Sequence, residues 1–195
     1  ALQKLSRAVL KAQDGKLSEA LKLFRSVLEV IPENVDARRN LAKVYLGLGN
    51  TDQAKRQLDI CIQINPKDCW SYIMLGNIYT KQERNLAVAE FYYECGLEHC
   101  AEDGMLLNNY ANLMMEKGKF SRAEELFKKA MNLKPVHPHS YFGLALLYRV
   151  TGHPEESLKV LERLFILMPK TPGVESAQNY NEARNLYSGI NLAHS

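Results

Sequence analysis

Four cysteines, two neighbouring histidines and two adjacent carboxylate pairs are the residues of this chain that could do chemistry. Thiolates at short spacing, completed by histidines, would make a tetrahedral zinc site. Neither Cys61/Cys69 nor Cys95/Cys100 has CxxC spacing or a suitably placed histidine set. All four are therefore read as reduced packing cysteines, with zinc as the alternative. His137 and His139 flank Pro138 in the string VHPHSY. Two ligands do not complete a metal site, so they are read as surface histidines and no metal is expected. Glu124-Glu125 and Glu155-Glu156 could serve as acid and base, but they fit better as solvated helix starts, where the helix dipole favours negative charge. No Gly-rich phosphate loop, GxSxG or HExxH string occurs. No catalytic residue and no cofactor are expected, and the chain is not expected to be an enzyme.

Composition narrows the classes further. With 46% apolar and 24% charged residues in 195, the chain suits one sizeable folded unit. Its apolar runs fall far short of the roughly 20 residues a membrane span needs, so membrane insertion is not expected. The net charge of +3 is slight and cations are interspersed with carboxylates. Nucleic acid is therefore not favoured as a partner. The chain begins at Ala1 without an initiator Met, a charged leader or a long apolar stretch. That points to an excised domain, with a cytoplasmic location expected.

Any groups that do act must be positioned by helices, and the stretch from Leu107 to Pro135 displays the pattern whole. Leu107, Tyr110, Ala111, Met114 and Met115 recur at helical spacing until Gly118-Lys119 breaks the run. Ala123, Leu126, Phe127, Ala130 and Leu133 form a second periodic run, which Pro135 ends. The same unit recurs along the chain. Ala20, Ala54, Ala89, Ala123 and Ser157 step by 34, 35, 34 and 34 residues, and Tyr45, Tyr79, Met114 and Tyr148 by 34, 35 and 34. Pro32, Pro66, Pro135 and Pro169 keep the same register, and the extra residue falls between Tyr79 and Ala89. Neither amphipathic helix could bury its apolar stripe alone, so such units must stack on one another.

These columns resemble the tetratricopeptide repeat family, whose unit is 34 residues long. Leu41, Ala42, Tyr45, Ala54, Leu58, Cys61 and Pro66 fit one unit, and Tyr141, Leu144, Ala145, Tyr148, Ser157, Leu161, Leu164 and Pro169 another. The resemblance implies an all-α fold, a right-handed α-solenoid of about five helix-turn-helix units closed by a C-terminal capping helix. The units are expected at residues 1–34, 35–68, 69–103, 104–137 and 138–171, with the cap at 172–191. Asn34, Asp68 and Asp103 precede the first helices of their units and could cap them. The first unit departs from the pattern: Arg7 and Lys11 replace Leu and Tyr, and its apolar stripe is Leu2, Leu5, Val9 and Ala12. That stripe suits a degenerate end unit, or one covered by missing residues or a partner, self-association being one form of the latter.

In members of the family the first helices line an inner groove. Carried over unit by unit, the resemblance nominates Arg39, Asn40 and Lys43, then Trp70, Ile73, Met74 and Asn77, as groove residues. The later units contribute Met105, Asn108, Asn109 and Asn112, then His139, Phe142, Leu146 and Arg149. Trp70 is the only tryptophan and a candidate anchor, or else a packing residue on its neighbour unit. Asn40, Asn77, Asn109 and Asn112 could pair with the backbone of an extended peptide, since an amide both donates and accepts. Ile73, Met74, Met105, Phe142 and Leu146 would give the groove an exposed apolar middle. Chaperone-binding members clamp a terminal carboxylate with paired cations, but Ile73, His139 and Gly143 stand where those cations would be, so that ligand is disfavoured. The expected function is a protein-interaction scaffold holding a peptide or helical segment of a partner. The alternatives are a regulatory or substrate-recruiting domain of a larger enzyme, or a subunit or assembly factor of a complex.

Overall fold

A computed structural model describes residues 2–134, 138–167 and 178–193, and they form eleven α-helices. In order these are α1 (Leu2–Gln13), α2 (Leu17–Val30), α3 (Val35–Gly47), α4 (Thr51–Ile64), α5 (Cys69–Lys81), α6 (Leu86–His99), α7 (Gly104–Glu116), α8 (Phe120–Met131), α9 (Pro138–Val150), α10 (Pro154–Leu167) and α11 (Gln178–Ala193). No strand occurs among the described residues, so the fold class is all-α. Pro135, His137, Pro169 and the expected start of the cap at residues 172–177 lie outside the described residues.

The chain divides into two compact units, Ala1–His99 with α1 to α6 and Cys100–Ser195 with α7 to α11. In the first, each helix packs on the next in sequence, and α1 also touches α3. In the second, α7 pairs with α8 and α9 with α10, while α11 lies on both α9 and α10. The small-residue column explains the close pairing: Ala20, Ala54, Ala89, Ala123 and Ser157 are all fully buried. Serine carries a hydroxyl that burial would leave stranded, and Ser157 Oγ donates to the Ala145 carbonyl at 2.7 Å. Gly76 carries this further, because a Cβ there would sit 2.5 Å from the ring of buried Tyr93.

Turn chemistry sets the hairpins. Gly15, Gly49, Gly118 and Gly152 take φ between 70° and 80° where the paired helices join. In the α5–α6 turn the same step of 34 or 35 residues falls on Arg84, which adopts φ 55°. The inserted residue therefore lies between Tyr79 and Arg84, narrower than the spacing of the alanine column alone allows. Asn34 and Asp103 cap α3 and α7, accepting from the backbone N–H groups of Ala37 at 2.7 Å and Leu106 at 2.8 Å.

Three expectations are corrected. Asp68 does not cap α5; it is buried, 6% exposed, and accepts from Ser71 Oγ at 2.5 Å and Arg39 Nη1 at 3.1 Å. Glu124 lies a full turn inside α8, where it accepts from Lys128 Nζ at 2.6 Å and Tyr148 hydroxyl at 2.7 Å. Glu155 and Glu156 do sit in the first turn of α10. Cys69, the first residue of α5, and Cys100, the residue after α6, are disulfide-bonded, and only Cys61 and Cys95 are free thiols. Neither cysteine stands in a local motif that could announce a bond. Burial pushes the Cys61 thiol up to about 11 and also raises Cys95, so neither is a thiolate nucleophile at neutral pH.

Candidate functional site: the first-helix faces

In the N-terminal unit the nominated residues converge on α3 and α5. Trp70 leans from the first turn of α5 onto α3 and is half-buried, packed against the core of its unit. Lys43 Nζ stands 4.6 Å above its ring, and the Arg39 guanidinium lies 6.0 Å from the same ring. The two cations are not equivalent. Arg39 is tied to Asp36 and to buried Asp68, so its charge is largely met by its own chain. Lys43 makes no ion pair among the described residues and is exposed. Asp36, Arg39, Asn40, Lys43 and Trp70 enclose a cleft of about 210 Å³. A second cleft of about 280 Å³ shares Asn40 and Lys43 and reaches α1 and α2 through Val9, Ala12, Gln13 and Leu17. One open groove thus runs along α3, wet and charged at Trp70 and apolar at Val9 and Leu17.

Ile73 is not exposed, as the groove reading required; it is 4% accessible. The helix explains this: Ser71, Tyr72, Ile73, Leu75, Gly76 and Ile78 are all buried, and a helix apolar on nearly every side is packed on more than one. Met74 is half-buried and packs against the core. The asparagines are partly engaged already. Asn40 Nδ2 donates to the Asp36 carbonyl at 2.8 Å, and Asn77 Oδ1 accepts from the Tyr93 hydroxyl at 2.9 Å.

In the C-terminal unit Asn109 Nδ2 donates to the Met105 carbonyl at 2.8 Å, while Asn112 is exposed. Asn108 Oδ1 is buried and has no hydrogen-bond partner among the described residues. Met105 is 52% exposed, and His139 is also exposed. Phe142, Leu146 and Arg149 on α9 line a cleft of about 300 Å³ with Asn185, Leu186 and Gly189 of α11. The last three escape a reading of groove columns because α11 lies beyond the repeated register. The signal available was the i, i+3, i+7 spacing of Ala183, Leu186 and Ile190, all buried.

The stripe on α1 is also accounted for. Ala8 is fully buried, and Leu5, Val9 and Ala12 pack against the core of the same unit, leaving Leu2 and Leu10 as its exposed leucines. Lys11, standing where the pattern has Tyr, reaches Glu19 of α2 at 2.8 Å.

Paired helices joined at left-handed glycines, with small residues buried where they touch, are what stacked helical-hairpin proteins are made of. The family profile described as tetratricopeptide repeat matches residues 11–68 and again 111–169. The chain belongs to the tetratricopeptide repeat family. It is similar to a BBSome complex member of Caenorhabditis elegans, 23% identical over 136 residues that cover 70% of this chain and 29% of that protein. Among solved structures it resembles a thermophilic tetratricopeptide repeat protein of Thermus thermophilus, with a TM-score of 0.71, 22% identity and 98% of each chain covered. It also resembles YrrB, described as having an unusual peptide-binding site, with a TM-score of 0.62, 18% identity and coverage of 93% and 90%. The chain spans between 11% and 29% of the length of three curated relatives. The fold is that of a protein-interaction scaffold, in general non-catalytic. No helix among the described residues is long and apolar enough to cross a membrane.

Proposed function

We propose that the first-helix face of the N-terminal unit binds an extended segment of a protein partner, with Trp70 as the anchor. The observation that carries this is the open aromatic ring beneath Lys43, whose charge no carboxylate of the described residues meets. An indole held at the floor of a cleft supplies a large contact area at little entropic cost. Lys43 then selects a carbonyl or carboxylate beside the group that covers the ring. Val9, Leu17 and Val44 favour an apolar side chain further along the same segment. The slight charge of the chain makes protein a better partner than nucleic acid. In the C-terminal unit Asn109, Asn112, His139, Phe142, Leu146 and Arg149 form a second candidate contact surface. Likeness to a member of a multiprotein complex makes a subunit role the second reading.

The test is affinity capture from a cell extract with the wild-type protein, with Trp70→Ala and with Asn109→Ala, followed by mass spectrometry. Partners held by the wild type and lost with Trp70→Ala support the reading. Partners retained by Trp70→Ala and lost with Asn109→Ala would move the site to the C-terminal unit.

Disulfides persist in oxidising compartments and are rare in the cytosol, so the bonded Cys69 and Cys100 favour the former over the cytoplasm expected from sequence. Maleimide added to protein denatured straight from cells, followed by peptide mass mapping, should then leave Cys69 and Cys100 unlabelled. Labelling of both would restore the cytoplasmic reading.

A further inference from the structure

A second cleft, of about 420 Å³, opens on the other helices of the N-terminal unit, between α4 and α6. Its size falls within the roughly 300–1,000 Å³ of ligand-binding clefts. Its walls differ in kind from the Trp70 groove. Tyr72, Phe91 and Tyr92 supply rings, Asp59 and Glu98 supply carboxylates, and no lysine or arginine lines it; the one imidazole, His99, is stacked on Tyr72 with ring centroids 6.1 Å apart. Phe91 is 59% exposed, although it packs edge-on against Tyr92 with ring centroids 5.6 Å apart. Asp59 accepts from the Tyr92 hydroxyl at 3.1 Å, and its carboxyl is raised above the ordinary value, chiefly by burial. Lys55, whose charge also acts on Asp59, has its ammonium paired with Glu83 and with Asp52 at 3.0 Å, and it lies 5.3 Å from the Tyr79 ring. Tyr79 in turn stacks on Tyr92 at 5.4 Å, so the far face of this aromatic pair already carries a cation of the chain itself.

We propose that the α4–α6 cleft receives a cationic side chain, lysine or arginine, from a basic segment of a partner protein. The charge complement decides the occupant. A cation entering between the rings would gain the attraction of their faces and meet a half-desolvated carboxylate whose one hydrogen-bond donor is a hydroxyl. An apolar side chain would cover Phe91 but take Asp59 further from water with the Tyr92 hydroxyl as its only donor, which costs more than the contact returns. Apart from Tyr72 of α5 its walls come from the second helices α4 and α6, and it shares no lining residue with the groove at Trp70, so a variant at Asp59 or Phe91 tests it separately.

The experiment is an amide-resolved NMR titration with three synthetic pentapeptides, acetyl-GGXGG-amide, in which X is arginine, lysine or norleucine. The arginine and lysine peptides should shift the amides of Asp59, Phe91 and Glu98, and their affinity should fall about fivefold in Asp59→Asn and in Phe91→Ala. Asp59→Asn keeps an acceptor for Tyr92, and Phe91 is a surface ring, so both variants should hold their fold by circular dichroism. Equal binding by the norleucine peptide would overturn the proposal in favour of an apolar ligand. Unchanged affinity of the cationic peptides for both variants would overturn it outright.

Discussion

Gly76 shows how little room this architecture leaves at a single position. An added methyl would meet the Tyr93 ring, and Tyr93 cannot swing aside without abandoning its bond to Asn77. Gly76→Ala should therefore lower stability by about 1–3 kcal/mol, read from the urea unfolding midpoint, although alanine is the better helix former. Glu124 makes the matching point for charge. Lys128 first, and the Tyr148 hydroxyl second, hold its carboxyl below the ordinary value of 4.5. A lowered carboxyl pKa adds stability above the unfolded value and loses it as the pH falls through the folded one. Glu124→Gln should be less stable than the wild type at neutral pH, with the difference closing once the pH drops below 4.5. A difference that stays constant across that range would show that the ion pair contributes nothing.

The first helix makes a prediction of its own. Leu5 faces the core while Leu2 is 79% exposed, though both belong to the same apolar stripe. Leu5→Asp should cost roughly 1–3 kcal/mol by burying a charge-bearing group, and Leu2→Asp less than about 0.5 kcal/mol, in the same unfolding assay. Equal effects would mean that α1 is not docked as described. Helices, pairings and turns were legible in the sequence because they rest on periodicity, on glycine at left-handed φ and on small residues at contacts, all of which repeat. What does not repeat was not legible. Asp68 occupies the capping position of its unit but is drawn inward because Arg39 and Ser71 offer it partners that Asn34 and Asp103 lack. Ile73 falls on a groove column, yet α5 is apolar almost all round and buries it. The α11 contribution to the Phe142 cleft, the Asp59–Tyr92 pair and the disulfide-bonded cysteines likewise join residues whose relation no spacing announces.

For the whole molecule, the repeated hairpins supply the scaffold, and the proposed recognition rests on residues that do not repeat. The family is in general one of non-catalytic scaffolds that offer faces to other proteins. It does not choose the partner; in the readings proposed above, Trp70 with Lys43, and separately Asp59 with Phe91, do that by their chemistry. Because Trp70 is the only tryptophan, its emission reports on the groove without a label. The decisive measurement is to select peptides on the wild-type protein from a displayed random library, then titrate the tightest while following Trp70 emission. Calorimetry with Trp70→Ala and Lys43→Ala completes it. Emission should shift on binding, and each variant should weaken the peptide about tenfold or more. Peptides that bind without changing Trp70 emission, and bind both variants as tightly as the wild type, would contradict the assignment of recognition to this face.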